Sequence, residues 1–207
     1  MTTALILVDI QNDFCTGGAL AVPQGEAVVP IANQLMSQVD LVVATQDWHP
    51  ADHGSFAANH PGRAPFELGT LAGLPQVLWP VHCVQWTGGA QFHPQLDTRR
   101  IARVFPKGMD ASIDSYSGFF DNGRGKATGL GEWLRAEHVD EVLVCGLATD
   151  YCVKFTALDA AQFGFRTHFI KDASRGPIPA PVERYTLRLS GLGLELWAAT
   201  NSSQDRE

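Results

Sequence analysis

The stretch "EVLVCGLATDYCVKFTALDA", residues 141–160, carries a strand directly into a helix. Glu141 to Cys145 is a short apolar run, and it meets a glycine at once. A helical pattern begins near Asp150 and runs to about residue 163. Buried parallel strands read as near-continuous apolar runs joined by crossover helices. Cys145 lies inside the strand, where a small buried hydrophobe belongs. Cys152 lies in the first turn of the helix, just past the strand end. With Thr149 or Asp150 as the cap, free amide N–H groups and the positive dipole end would favour a thiolate there. A structural cysteine beneath the helix is the plain alternative, and the local sequence does not choose between them.

The same alternation recurs along the chain. Strands are expected at 4–9 ("ALILVD"), 41–45 ("LVVAT"), 102–106 ("ARVFP"), 141–146, 166–172 ("RTHFIKD") and 194–197 ("LELW"). Helices are expected near 25–38, 132–138, 150–163 and 180–190, with a Gly-rich loop at 117–131. This order predicts an α/β fold of three layers, α/β/α, around a central, mainly parallel six-stranded sheet. Residues 1–207 read as a single domain with a polar tail at 200–207. The segment 46–100, rich in Pro, Gly, His and Trp, is long for a structureless loop, and such loops tend to carry function.

A chain of 207 residues can bury a real core. Its formal net charge of -7 and lack of any basic cluster argue against nucleic acid or an anionic membrane as partner. The apolar run Ala4–Val8 is too short for a signal peptide, and no stretch is long enough for a membrane span. Cys15, Cys83, Cys145 and Cys152 show no C-x-x-C spacing, which fits reduced thiols and a cytoplasmic location. The expected partner is a small molecule, with a homo-oligomer left open.

Open parallel sheets bind ligands at the carboxyl ends of their strands. Four strands bring polar groups to that edge: Asp9, then the segment "TQDWHPADH", then Lys107, then Cys152. Asp9 suits a general base beside the thiol, because burial raises a carboxyl pKa. A capping role for Asp9 or Asp13 in the turn "DIQNDF" is the alternative. Lys107 would hold the charge of Asp9, although a lone lysine after a strand is usually just solvated. Asp47 and His49 are two apart, so an extended backbone points both side chains one way. With His82 they form a carboxylate and two imidazoles, a set suited to Zn²⁺, Fe²⁺ or Mn²⁺. His53 would be a fourth ligand or a supporting group. His60, His93, His138 and His168 read as ordinary satisfied histidines. Phe14, Trp79, Tyr116 and Tyr151 flank these positions and would wall a slot for a flat ring, or simply pack in the core.

Together the motifs resemble the nicotinamidase (pyrazinamidase) family of isochorismatase-like hydrolases. The likeness runs from "LILVDIQNDFCTGGALAV" through "ATQDWHPADHGSFA", "LWPVHCVQWTGGAQFHPQLD", "VFPKGMD" and "SYSGF" to "GLATDYCVKFTALDA". It implies a catalytic triad of Asp9, Lys107 and Cys152, and metal ligands Asp47, His49 and His82. It further implies a cis peptide at Leu147–Ala148, an oxyanion hole from the Ala148 and Cys152 amides, and ring binding by Phe14, Trp79, Tyr116 and Tyr151. The implied activity is hydrolysis of nicotinamide, and of pyrazinamide, through a cysteine thioester, with one divalent metal ion, zinc first and iron or manganese after it. Two rivals stand beside it: an amidohydrolase of the same superfamily acting on a ureido or carbamoyl substrate, and a non-catalytic metal- or ligand-binding module. A redox thiol protein is a weaker rival, with no resolving cysteine near Cys152 in sequence.

Overall fold

The structure, a computed structural model, describes residues 1–176 and 195–197. In chain order the elements are β1 (Thr2–Val8), α1 (Val28–Leu35), β2 (Leu41–Asp47), β3 (Leu68–Leu71), β4 (Leu74–Val77), β5 (Arg103–Lys107) and α2 (Leu130–Ala136). They continue with β6 (Val139–Leu147), α3 (Lys154–Phe163), β7 (Arg166–Arg175) and β8 (Glu195–Trp197). Six strands form one sheet in the order β5-β2-β1-β6-β7-β8, and each neighbouring pair is parallel. This is the architecture that the apolar runs predict. The expected helix near 180–190 and the tail from Thr200 lie outside the described residues. Among the described residues no helix is long and apolar enough to cross a membrane.

β1 shows why the sheet takes two coverings. Ala4 through Val8 are fully buried, and the period of two along a strand divides them between faces. Leu5 and Leu7 join a core with Val28, Val29, Ala32 and Leu35 of α1. Ala4, Ile6 and Val8 join a second core with Leu130 and Leu134 of α2 and Ala157 and Ala160 of α3. Each face buries its own apolar stripe, so neither helix layer is dispensable.

From β1 the chain moves outward to β2 and β5, then returns to the other side of β1 to lay down β6, β7 and β8. The order therefore reverses between β1 and β6, and a crevice opens there at the carboxyl ends. Gly146, with φ of 128°, crosses beside Val8 at this point. A Cβ there would collide with the Val8 carbonyl oxygen, so only glycine lets the two strand ends lie this close.

Three expectations need correction. The segment 46–100 contains a small antiparallel hairpin, β3 paired with β4, turned by Ala72 and Gly73, both at positive φ. The third helix starts as an α-helix only at Lys154, after a π-helical turn over Thr149–Val153, and neither Thr149 nor Asp150 caps it through its side chain. The second helix begins at Leu130, inside what the glycines mark as loop.

Candidate active site

The carboxyl edge of the sheet gathers the chemistry. Asp9 follows β1 immediately, in a left-handed turn with φ of 49° and with no solvent exposure. Asp47 and Lys107 are paired register partners that close β2 and β5. Cys152 sits in the π-helical turn after β6. Gln11 ties the first two strand ends together. Its side-chain amide donates to Asp47 O and Ala90 O, both at 2.8 Å, and its carbonyl accepts from Asp47 N at 2.8 Å.

Lys107 is the hub. Its ammonium has three protons to give. They go to Asp47 Oδ1 at 2.5 Å, to the Ser115 carbonyl at 3.0 Å and to Cys152 Sγ at 3.4 Å. Asp9 Oδ2 lies 2.9 Å from the same nitrogen as a second ion pair, off the line of the three bonds already made. Asp9 Oδ1 accepts from Thr45 Oγ1 at 2.7 Å. Ligand atoms of Asp9, Asp47 and Cys152 all lie within 4.8 Å of one another. The sequence pairs Lys107 with Asp9; the structure adds Asp47 as a second carboxylate on the same cation.

Two carboxylates beside one buried lysine take different characters. For Asp9, burial pushes the pKa up, and Lys107 only partly opposes it while Asp47 adds to it. For Asp47, burial works in the same sense, but Lys107 and His49 outweigh it and hold the carboxyl well below its ordinary range. Burial works against the charge of Lys107, yet Asp47 and Asp9 overcome it and keep the group cationic. Burial lifts the Cys152 thiol well above its ordinary value, more than Lys107 can offset. Burial thus outweighs the helix-end position, which in sequence leaves a thiolate and a structural cysteine both open. Such a thiol needs a base to lose its proton, and of the two carboxylates Asp9, with its pKa raised, is the better acceptor.

Beside Asp9, Lys107 and Cys152 stand Asp47, His49 and His82, the last three with ligand atoms within 4.8 Å of one another. His49 Nδ1 donates to Gly108 O and His82 Nδ1 to Pro80 O, each at 2.8 Å. Those bonds leave both Nε2 atoms facing Asp47 Oδ2, at 3.5 and 3.8 Å. Donors about 2.1 Å from one tetrahedral ion stand roughly 3.4 Å apart, so the set fits a single cation. Gly108, at φ of 63°, is what lets the His49 ring lie over the backbone, since a Cβ there would strike it. His53 is buried 4.5 Å, ring centroid to ring centroid, from His49. Its Nδ1 meets Ser55 Oγ at 2.7 Å, while Nε2 has no hydrogen-bond partner. It falls in a second possible ligand group, with His49 and Asp114, rather than with Asp47 and His82.

Both groups open on a cavity of about 300 Å³ lined by Phe14, Trp79, Tyr116, Tyr151, Ala148 and Cys152. Tyr151 meets Trp79 edge-on at 4.8 Å and Tyr116 at 5.3 Å, while Phe14 stands edge-on to His82 at 5.5 Å. The Leu147–Ala148 peptide is cis. The Tyr151 and Val153 amides both donate to Ala148 O, leaving the Cys152 amide between them out of that pair. Sequence reasoning missed Thr45, Gln11 and Ser115, and it missed the wall residues Leu20, Val22, Phe66 and Asp114. Leu20 and Val22 lie inside the quoted run "GGALAV" and Ser115 inside "SYSGF", which Asp114 directly precedes, so a place in or next to a motif was their only signal.

Comparison with known proteins gives the family. The isochorismatase domain matches residues 3–196. The chain belongs to the isochorismatase family. Within that family it is similar to the nicotinamidase of Escherichia coli (strain K12), 57% identical over 84% of this chain and 83% of that protein. The solved nicotinamidase and pyrazinamidase of Acinetobacter baumanii superposes with a TM-score of 0.92 at 44% identity, covering 97% of each chain. The pyrazinamidase of Pyrococcus horikoshii, solved in complex with zinc, gives a TM-score of 0.78 at 35% identity, over 96% of this chain and 99% of that one.

Proposed function

We propose that this isochorismatase-family chain is a metal-dependent nicotinamidase, an amidohydrolase that converts nicotinamide to nicotinate and ammonia and also accepts pyrazinamide. The observation that carries the reading is the position of Cys152 Sγ. It receives a hydrogen bond from Lys107, lies beside Asp9, and forms part of the wall of an aromatic-lined cavity. The activities named for the similar proteins support the same substrate.

Phe14, Trp79, Tyr116 and Tyr151 hold the flat ring in the cavity. Asp9 takes the proton of the Cys152 thiol, and the sulfur adds to the carboxamide carbon. The backbone amides of Ala148 and Cys152 receive the oxyanion, a contribution of about 10²–10³ in rate per donor. The C–N bond breaks as Asp9 returns its proton to the nitrogen. Ammonia leaves and the acyl group remains on sulfur as a thioester. A water then gives a proton to Asp9 and adds to the same carbon. The C–S bond breaks, the acid departs and the thiol is restored. Lys107 stays cationic throughout and steadies the negative charge that passes between oxygen and sulfur.

Asp47, His49 and His82 would hold one divalent ion, with zinc ahead of iron or manganese. When bound, it supplies a Lewis-acid contact for a ring nitrogen. His53, with its unpaired Nε2, would support that site or add a ligand.

An ammonia-release assay tests the reading. Nicotinamide and pyrazinamide should release ammonia, linear ureido acids should not, and a chelator should suppress the reaction. Turnover of the ureido acids alone would replace this reading with the carbamoyl-hydrolase rival.

A further inference from the structure

Of the aromatic residues lining the cavity, Phe66 alone is exposed, with 63% of its surface open. Phe14 and Trp79 are buried, and Tyr116 and Tyr151 are half-buried. Phe66 also holds a left-handed backbone, with φ of 72°. A bulky residue there costs roughly 1–2 kcal/mol, so the fold must hold it in place. Phe66 N donates to Leu78 O at 2.6 Å, and Leu78 N donates to Glu67 O at 2.8 Å, which seats the segment against the end of β4. Arg63 clamps the same segment from outside, through Glu67 Oε2 and Leu68 O. The ring ends up edge-on to Trp79, 6.2 Å between centroids and 89° between planes.

An exposed phenyl held in an unfavourable backbone at the rim of an apolar cavity is half of a contact. We propose that Phe66 is a specificity-determining residue that covers the flat ring of a bound aromatic carboxamide and so selects aromatic over aliphatic amides. This deepens the proposed function and rests on it. Trp79 is the inner partner of this contact and Phe66 the outer one. The ligand ring buries apolar surface that the free protein leaves in water. Phe66 does not touch the sulfur or its base, so it acts on binding and not on the chemical step.

The test uses the purified full-length protein and its Phe66→Ala, Phe66→Leu and Phe66→Gly variants. KM and kcat for nicotinamide and for an aliphatic amide are measured, together with the dissociation constant for nicotinamide in a Cys152→Ala background. Phe66→Ala and Phe66→Gly should each raise KM and the dissociation constant for nicotinamide about 3- to 10-fold, the range one aromatic contact supplies. Their kcat should stay within about twofold, and the preference for nicotinamide over the aliphatic amide should narrow by the same factor as KM rises. Phe66→Leu should fall between them and the wild type. Glycine relieves the positive φ, so Phe66→Gly separates ring from backbone. If KM is unchanged in both truncations, or if Phe66→Gly restores what Phe66→Ala loses, the assignment is wrong. Wild-type protein without nicotinamide turnover overturns the proposed function, and this inference with it.

Discussion

The two edges of the sheet bury polar clusters of opposite character. At the amino edge, Glu141 accepts from Thr3 Oγ1 at 3.0 Å through one oxygen and meets His168 Nε2 at 2.6 Å through the other. Each carboxylate oxygen is occupied, and the cluster stitches the starts of β1, β6 and β7 together. At the carboxyl edge one lysine is shared by two carboxylates and a thiol, and Asp9 Oδ2 is left without a hydrogen bond beside an open cavity. Both clusters contain a carboxylate and a basic partner in the same sheet. What separates them is their setting: both oxygens of Glu141 are bonded within its cluster, while the second cluster places a sulfur in the wall of a cavity with a carboxylate beside it.

The sharpest way to break the contrast is Cys152→Ala. It should cut nicotinamide turnover by at least about 10³-fold while ligand still binds, because the nucleophile acts as a unit with its base. Substantial residual ammonia release would remove Cys152 from the mechanism. Lys107→Met comes next. It leaves Asp9 and Asp47 buried without their cation, so turnover should vanish and stability should fall by about 3–5 kcal/mol in denaturant titration. A normally stable Lys107→Met protein would show that the two carboxylates do not depend on it.

Smaller effects sharpen the picture. His82→Ala should lose stoichiometric metal by elemental analysis and lose at least about tenfold in activity. Retention of metal would move the ion to the group formed by His49, His53 and Asp114. Gly108→Ala strains a positive φ and presses on the His49 ring. It should weaken metal affinity about tenfold with a modest loss of stability. Glu141→Gln, at the other edge, should cost about 1–3 kcal/mol of stability and leave kcat/KM unchanged. A loss of turnover there would dissolve the distinction between the edges.

The sheet was legible because its strands are covered on both faces. Ala4–Val8 and Val142–Cys145 have no solvent-facing positions to interrupt them, so they appear as plain apolar runs. Asp9, Lys107 and Cys152 were legible because each sits where such a run ends. The hairpin β3–β4 was not. Its strands are partly exposed, so "LGTLAGLPQV" carries neither a clean alternation nor a continuous run, and Gly and Pro interrupt it. The double role of Asp47 was hidden for another reason. Its contact with Lys107 joins residues 60 positions apart, and only the β2–β5 register brings them together. Local sequence likewise leaves a thiolate and a structural cysteine equally open at Cys152, because a helix end is visible in sequence and the depth of burial is not. Phe66 left no mark at all, since its φ and its place at the cavity rim depend on where the hairpin docks.

The groups proposed to react and part of the aromatic wall have separate anchorages. Asp9, Lys107 and Cys152 are fixed to the ends of strands in a six-stranded sheet, while Phe66, Val77 and Trp79 ride on the segment inserted between β2 and β5. Mutation can therefore remodel the insert without disturbing the frame that aligns nucleophile and base. A lineage built this way can trade one amide for another by editing a few dozen residues, keeping its bond-breaking apparatus intact while its diet changes.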